Sequence, residues 1–191
     1  MKSTTKLLAE WERLSIEEQL PNFPKRVRHE LPECIFKEIN PPFESLFLHG
    51  PTGTGKTMYA TYYVQQAIKQ TYMSSGRWQT SGFVTMVDLL QEIRHTFQSG
   101  SKYSELDIVN KYNSYDWLVL DDLGVESVTD WSYSVMYSLI NRRYENMTPV
   151  IITSNKNLVQ LTAEINDTRI ISRIREMCIK MELPNIKRKP K

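Results

Sequence analysis

Residues Gly50 to Thr57 read GPTGTGKT, which fits the pattern G-x-x-x-x-G-K-[ST]. The stretch lies between SLFLHG, a short apolar run that reads as a strand, and Lys56 to Lys69, which reads as a helix. That order lets a glycine-rich backbone turn its N–H groups inward onto phosphate oxygens at a helix N-terminus. Gly50, Gly53 and Gly55 would free the backbone to curl, and Pro51, Thr52 and Thr54 fill the loop between them. Lys56 would reach the β- and γ-phosphates of a nucleotide, and Thr57 would offer its hydroxyl to Mg2+, with Met58 closing the nucleotide-binding stretch. A glycine-rich turn with an incidental Lys-Thr is the plain alternative, and the agreement of strand, loop and helix argues against it.

A phosphate loop of this kind needs a second strand ending in an acid that holds the metal. WLVLDDLG, Trp117 to Gly124, supplies four apolar residues running into two carboxylates. Asp121 takes the metal role in this reading. Asp122 stands where a general base would polarise the attacking water, or it is a helix cap or a polar strand end. Glu126 orients Asp122, contacts a partner, or is a surface acid. A further strand in TPVIITSN ends at Asn155, whose amide would lie beside the γ-phosphate or cap a loop.

Outward from these motifs the chain alternates. GFVTMV reads as a strand, Asp88 to Phe97 as a helix capped by Asp88, Trp131 to Asn146 as a long helix, Arg169 to Met177 as a short one and CIKMEL as a fifth strand. Alternation predicts an α/β fold with a parallel sheet covered by helices, because parallel strands need crossover connections. In DTRIISRIREM, Arg169 and Arg173 are four apart and share a helical face, while Ile170, Ile171 and Ile174 form the apolar side. Such a face makes salt bridges, or in a side-by-side assembly delivers a cation to a neighbour's γ-phosphate.

Four segments are expected: an amphipathic N-terminal helix in 1–20, a proline-rich linker or strap in 21–43, the core in 44–183 and a basic tail in 184–191. Leu7, Leu8, Trp11, Leu14 and Ile16 fall near one face of the first helix, which either docks on its own domain or on a partner. The 191 residues suit one domain with a real core. With 24 Lys and Arg against 22 Asp and Glu, the net charge of +2 does not by itself imply nucleic acid. The segment from Arg169 onward is locally basic, either to touch phosphates or as a solvated tail. Cys34 and Cys178 form no CxxC pair, so neither a disulfide framework nor a zinc site is expected. Glu10 and Glu12 sit where a secretory signal would be apolar, and no run is long enough to span a bilayer. A cytoplasmic protein with no membrane contact is the expectation.

GPTGTGKT, WLVLDDLG, IITSN and DTRIISRI, in this order, resemble the AAA+ ATPases. More narrowly, DDLGVE, TSN and the R-x-x-x-R helix look like helicase loaders of the DnaC/DnaI type and the related IstB transposition helpers. FPKRVR, Phe23 to Arg28, resembles the strap those proteins place near the adenine. The resemblance implies a P-loop NTPase (AAA+) three-layer fold with a central five-stranded parallel sheet and no C-terminal lid domain. It implies an ATP- and Mg2+-dependent homo-oligomer that binds single-stranded DNA and delivers a DnaB-like replicative helicase to it. Arg169 would be the finger acting in trans and Arg173 its companion at the subunit interface. DNA would be met somewhere in Leu89 to Lys111, where Arg94, His95, Lys102 and Lys111 are available. Asp122 in place of the commoner Glu is one methylene shorter, which implies a slow ATPase tuned by partner or DNA. The other functions in view are a transposition helper and an ATP-switched adaptor with negligible hydrolysis.

Overall fold

A computed structural model describes residues 4–29, 42–124, 129–165 and 167–183. Glu126, Cys34 and the tail 184–191 lie outside them. Five strands form one sheet: β1 (Ser45–His49), β2 (Ser81–Thr85), β3 (Trp117–Asp121), β4 (Val150–Ser154) and β5 (Cys178–Glu182). The spatial order is β2-β3-β4-β1-β5, and every neighbouring pair is parallel. The helices are α1 (Thr4–Arg13), α2 (Ile16–Gln19), α3 (Lys25–His29), α4 (Lys56–Ser75), α5 (Met86–His95), α6 (Glu105–Asn113), α7 (Asp130–Glu145), α8 (Leu158–Ile165) and α9 (Thr168–Met177).

Alternation along the strands splits the apolar side chains between two cores, as period-two geometry demands. Phe47, Leu118, Leu120, Val150 and Ile152 face the layer built by α5 to α9. Leu46, Leu48, Trp117, Val119 and Ile151 face α4, with α1 to α3 wrapped outside it. Both faces being covered explains why β3 and β4 are buried at every position. The result is the expected three-layer α/β arrangement.

The local differences from the sequence expectation have identifiable causes. The N-terminal helix is two helices, because Ser15 starts a new one with a capping box to Glu18. Within the expected strap, Lys25–His29 forms α3, with the Val27 and Arg28 N–H groups bonding back to the Pro24 carbonyl. Asp88 is not a cap: Thr85 holds that place, accepting the Asp88 N–H on its side chain. Helices α6 and α8 are additions to the elements that the periodicity predicts. At the edge opposite the strand C-termini, the buried Arg143 of α7 donates to the carbonyls of Tyr112, Tyr115 and Pro149, tying the approaches to β3 and β4 together. Burial pulls its pKa down to about 10.

The N-terminal face packs on its own domain. Leu7 and Trp11 are buried, Leu14 and Ile16 half-buried, and only Leu8 of the set is exposed. The Trp11 ring lies 6.1 Å from Tyr72 and 5.4 Å from Trp78, while Tyr72 donates to Glu10 at 2.9 Å. Trp11→Ala is therefore expected to cost about 3 kcal/mol of stability, the lower part of the range for a deleted buried aromatic. Urea unfolding followed by far-UV CD reads it; an unchanged midpoint would mean the face is dispensable to the fold.

Candidate functional site

Because β1, β4 and β3 are neighbours and parallel, their C-terminal ends share one edge of the sheet. The loop after β1, the end of β3 and the residue after β4 must then meet, and ligands of open α/β sheets bind in that crevice. A cleft of about 380 Å³ opens there. Thr52, Gly53, Gly55, Lys56, Thr57 and Met58 line it from the loop and the start of α4, Asp122 and Asn155 from the strand ends. Pro51 and Thr54 shape the loop instead, the Thr54 hydroxyl donating to the Pro51 carbonyl at 3.0 Å.

Gly50, Gly53 and Gly55 all hold a positive φ, and two of them show what the geometry requires. Gly55 caps α4 at φ 88°, a left-handed conformation costly for a residue with a Cβ. Gly50 sits at φ 144°, and a Cβ there would lie 2.3 Å from the carbonyl oxygen of Leu183, just after β5. The loop is thereby pressed against the edge of the sheet.

Lys56 is buried, and its Nζ donates to the Gly50 carbonyl at 2.8 Å, the Pro51 carbonyl at 2.9 Å and Asn155 Oδ1 at 2.7 Å. All three protons are satisfied, but by neutral oxygens. Burial lowers its pKa, while Asp122 and Asp121 act in the opposite direction. A buried cation held by neutral acceptors suits a phosphate.

Asp121 is buried at the end of β3, and both its oxygens lie 3.1 Å from the Thr57 hydroxyl. Its Oδ1 also accepts from Thr153 at 2.6 Å. Burial raises its pKa to about 6, with Asp122 adding to the rise and Thr153, Thr57 and Lys56 opposing it. Among the described residues no group of three or more His, Cys, Asp or Glu side chains is placed to hold a metal alone. Thr57 and Asp121 nonetheless fit Mg2+, which takes few protein ligands and completes its octahedron with phosphate oxygens and water. Asp122 adopts φ 58°, with its N–H bonded to Thr153 Oγ1 at 2.9 Å, and is no helix cap.

Arg169 and Arg173 do not line this cleft. Arg169 pairs with Asp167, the N-cap of α9, at 2.9 Å and lies over the rings of Tyr133 and Tyr137. That contact pulls the Asp167 carboxyl to about 2 and raises the arginine further. Arg173 stacks on Tyr144 and donates to Asn141. Around α5 and α6, Lys111 is neutralised by Glu92 at 2.7 Å, His95 is exposed, Arg94 lies over Trp131 and Lys102 over Tyr103. The FPKRVR stretch, which the resemblance puts beside the nucleotide, contributes Arg26 and Val27 of α3 to the lining of the cleft. The helix expected to run through Phe97 ends at His95 and leaves Phe97 exposed; sequence reasoning did not single out the exposed Tyr103 and Leu106 near Lys102, whose apolar character amid polar residues was the available signal.

The family model for IstB-like ATP binding proteins matches residues 6–183. The replicative helicase loader DnaC of Escherichia coli strain K12 is 23% identical over 139 residues, covering 73% of this chain and 53% of that protein. The chain thus spans about half the length of this curated relative. Among solved structures, DnaI superposes with a TM-score of 0.60 at 24% identity, covering 94% of this chain and 93% of that one. The replication initiator DnaA bound to AMPPCP and single-stranded DNA gives 0.58 at 21%, covering 74% and 40%. These structural likenesses establish the fold, and no helix among the described residues is long and apolar enough to cross a membrane.

The raised pKa of Asp121 has a signed consequence in the metal-free protein. The folded state holds its proton up to about pH 6, the unfolded state only to about 4, so stability declines as pH rises through that window and the penalty persists above it. In EDTA at pH 7.5, Asp121→Asn should therefore match or exceed the wild type in stability, by up to about 3 kcal/mol. At pH 4 the advantage should vanish. Thermal melts at both pH values check it.

Proposed function

This chain belongs to the family of IstB-like ATP binding proteins, and from its cleft and its likeness to DnaC we propose that it is an ATPase that loads or remodels a DnaB-like replicative helicase on single-stranded DNA. The observation that carries the nucleotide chemistry is the meeting of Lys56, Thr57, Asp121, Asp122 and Asn155 at one edge of the sheet. Likeness to DnaC, DnaI and DnaA supports the replication setting.

Lys56 would exchange its carbonyl partners for β- and γ-phosphate oxygens, and Asn155, already on Lys56, would stand beside the γ-phosphate. Thr57 and Asp121 would hold Mg2+, which supplies charge neutralisation for phosphoryl transfer when bound. Asp122 would orient the attacking water and accept its proton. Its carboxylate is shorter than a glutamate's, which favours slow turnover awaiting DNA or partner. Arg169, outside its own cleft, would serve that of the next subunit, with Arg173 beside it at the interface. Single-stranded DNA would run along the α5–α6 connection, where Arg94 and Lys102 offer charge and Phe97 and Tyr103 offer stacking faces.

A second reading, a transposition helper working with a transposase, is favoured by the family match itself. A pull-down against the host's replicative helicase, with and without ATP, separates the two: ATP-dependent retention of the helicase supports loading, and retention of a transposase instead overturns it.

Lys56→Ala is expected to lower ATP turnover by about 100-fold or more, as loss of a charge that stabilises the transition state does. Mixing it with Arg169→Ala, itself impaired, should recover part of the activity, because one subunit then supplies the arginine and the other the loop. Recovery at no ratio would place Arg169 outside the reaction. Phe97→Ala and Tyr103→Ala should each weaken binding of a fluorescent oligo-dT by about 5- to 100-fold if bases stack there, with nucleotide affinity unchanged.

A further inference from the structure

The chain changes course abruptly where it leaves β3. Regular pairing of β3 with β4 runs from Leu118↔Val150 to Leu120↔Ile152 and goes no further. Two residues later Asp122 stands at φ 58°, in the left-handed region that non-glycine residues seldom adopt. Something beyond the ladder must hold it there, and two backbone N–H groups at the turn are both held by one residue. The Asp122 N–H donates to Thr153 Oγ1 at 2.9 Å, and the next N–H, that of Leu123, donates to the Thr153 carbonyl at 2.8 Å.

The same hydroxyl also reaches the metal-side carboxylate. Thr153 is fully buried, and its Oγ1 lies 2.6 Å from Asp121 Oδ1. A hydroxyl has one proton and two lone pairs. An amide N–H can only donate, so the contact with Asp122 uses a lone pair and leaves the proton for Asp121. Both directions are thereby fixed: Asp121 Oδ1 accepts, and its carboxylate is turned so that both oxygens also face the Thr57 hydroxyl. One oxygen atom thus sets the orientation of the metal-side acid through its carboxylate, and the direction of the water-side acid through its backbone.

We propose that Thr153 is a positioning residue that couples the two acids: its hydroxyl orients the Asp121 carboxylate toward Mg2+ and locks Asp122 in the left-handed turn that aims it into the nucleotide cleft. This deepens the ATPase reading and rests on it for the roles of the two acids, though not for the geometry of the clip. Thr153 itself does not line the cleft. Its action is entirely through its neighbours.

Two substitutions isolate the hydroxyl. Thr153→Val keeps the branched shape and removes the oxygen, and Thr153→Ser keeps the oxygen and removes the methyl. The first measurement is amide hydrogen exchange at Asp122 by NMR in the nucleotide-free, metal-free protein. Thr153→Val is expected to speed exchange there by about tenfold, the scale of one lost hydrogen bond, while Thr153→Ser stays near the wild type. The second is the affinity for a fluorescent ATP analogue with and without Mg2+. Thr153→Val should lose most of the Mg2+-dependent gain and keep the Mg2+-free affinity, and Thr153→Ser should retain both. Where turnover is measurable, Thr153→Val should lower kcat and raise KM for Mg2+-ATP, with Thr153→Ser near the wild type in both.

Wild-type protection at Asp122 in Thr153→Val, or equal losses in the valine and serine variants, would overturn the proposal, the latter because it would show packing and not the hydroxyl at work. If the wild type binds no Mg2+-nucleotide at all, the ATPase reading and the coupling role built on it fall together, whereas the exchange measurement still decides whether the clip exists. The two failures are therefore distinguishable.

Discussion

The parallel pairing of β3, β4 and β1 is the constraint on which the rest depends. Parallel strands end on the same side, and the order β3-β4-β1 puts the strand carrying Asn155 between the one carrying the loop and the one carrying the two acids. Lys56 and Asn155 are 99 residues apart in sequence and 2.7 Å apart in space, Thr57 and Asp121 64 residues apart and 3.1 Å. No local turn could achieve either contact. The pairing survives because its strands are buried on both faces, so a register slip would have to expose Val119 or Ile151 to polar surroundings or force them into the opposite core.

The fold and the site were legible in the sequence to different depths. The loop, WLVLDD and TSN were readable because each carries a spacing with a mechanism, and the alternating apolar runs were enough to predict the parallel sheet. Helix α6 was missed because its signal is a cap, Ser104 with Asp107, and then only Ile108, Val109 and Tyr112 as buried contacts. Asp88 is the better cap by intrinsic preference, yet the cap falls on Thr85 because β2 ends there and α5 begins at Met86. Arg26 and Val27 enter the cleft from a segment separated from the loop by more than twenty residues, and only the resemblance carried by FPKRVR pointed there, since no local spacing links the two segments. The same holds for Arg169: that it rests on Tyr133 and Tyr137 of α7 comes from how α9 packs on that helix, and spacing within α9 carries no trace of it.

Both edges of the sheet hold a buried charge at a cost. At the edge carrying the cleft, polar groups are close together and partly in conflict, with a buried acid whose pKa is raised and a non-glycine residue in left-handed conformation. At the opposite edge a buried arginine is committed to carbonyls with its pKa pulled down to about 10, and Met147, just before β4, also adopts a left-handed φ of 50°.

Lys56 has every proton committed before any nucleotide arrives. Binding there is a barter between partners and not the capture of a free charge, so its net free energy is a difference between two sets of hydrogen bonds. Affinity then becomes sensitive to how well the incoming anion outcompetes an amide and two carbonyls. On the proposed nucleotide role, a ligand lacking the terminal phosphate would leave part of the original set in place, so the hydrogen bonds of the loop would differ with the length of the phosphate chain.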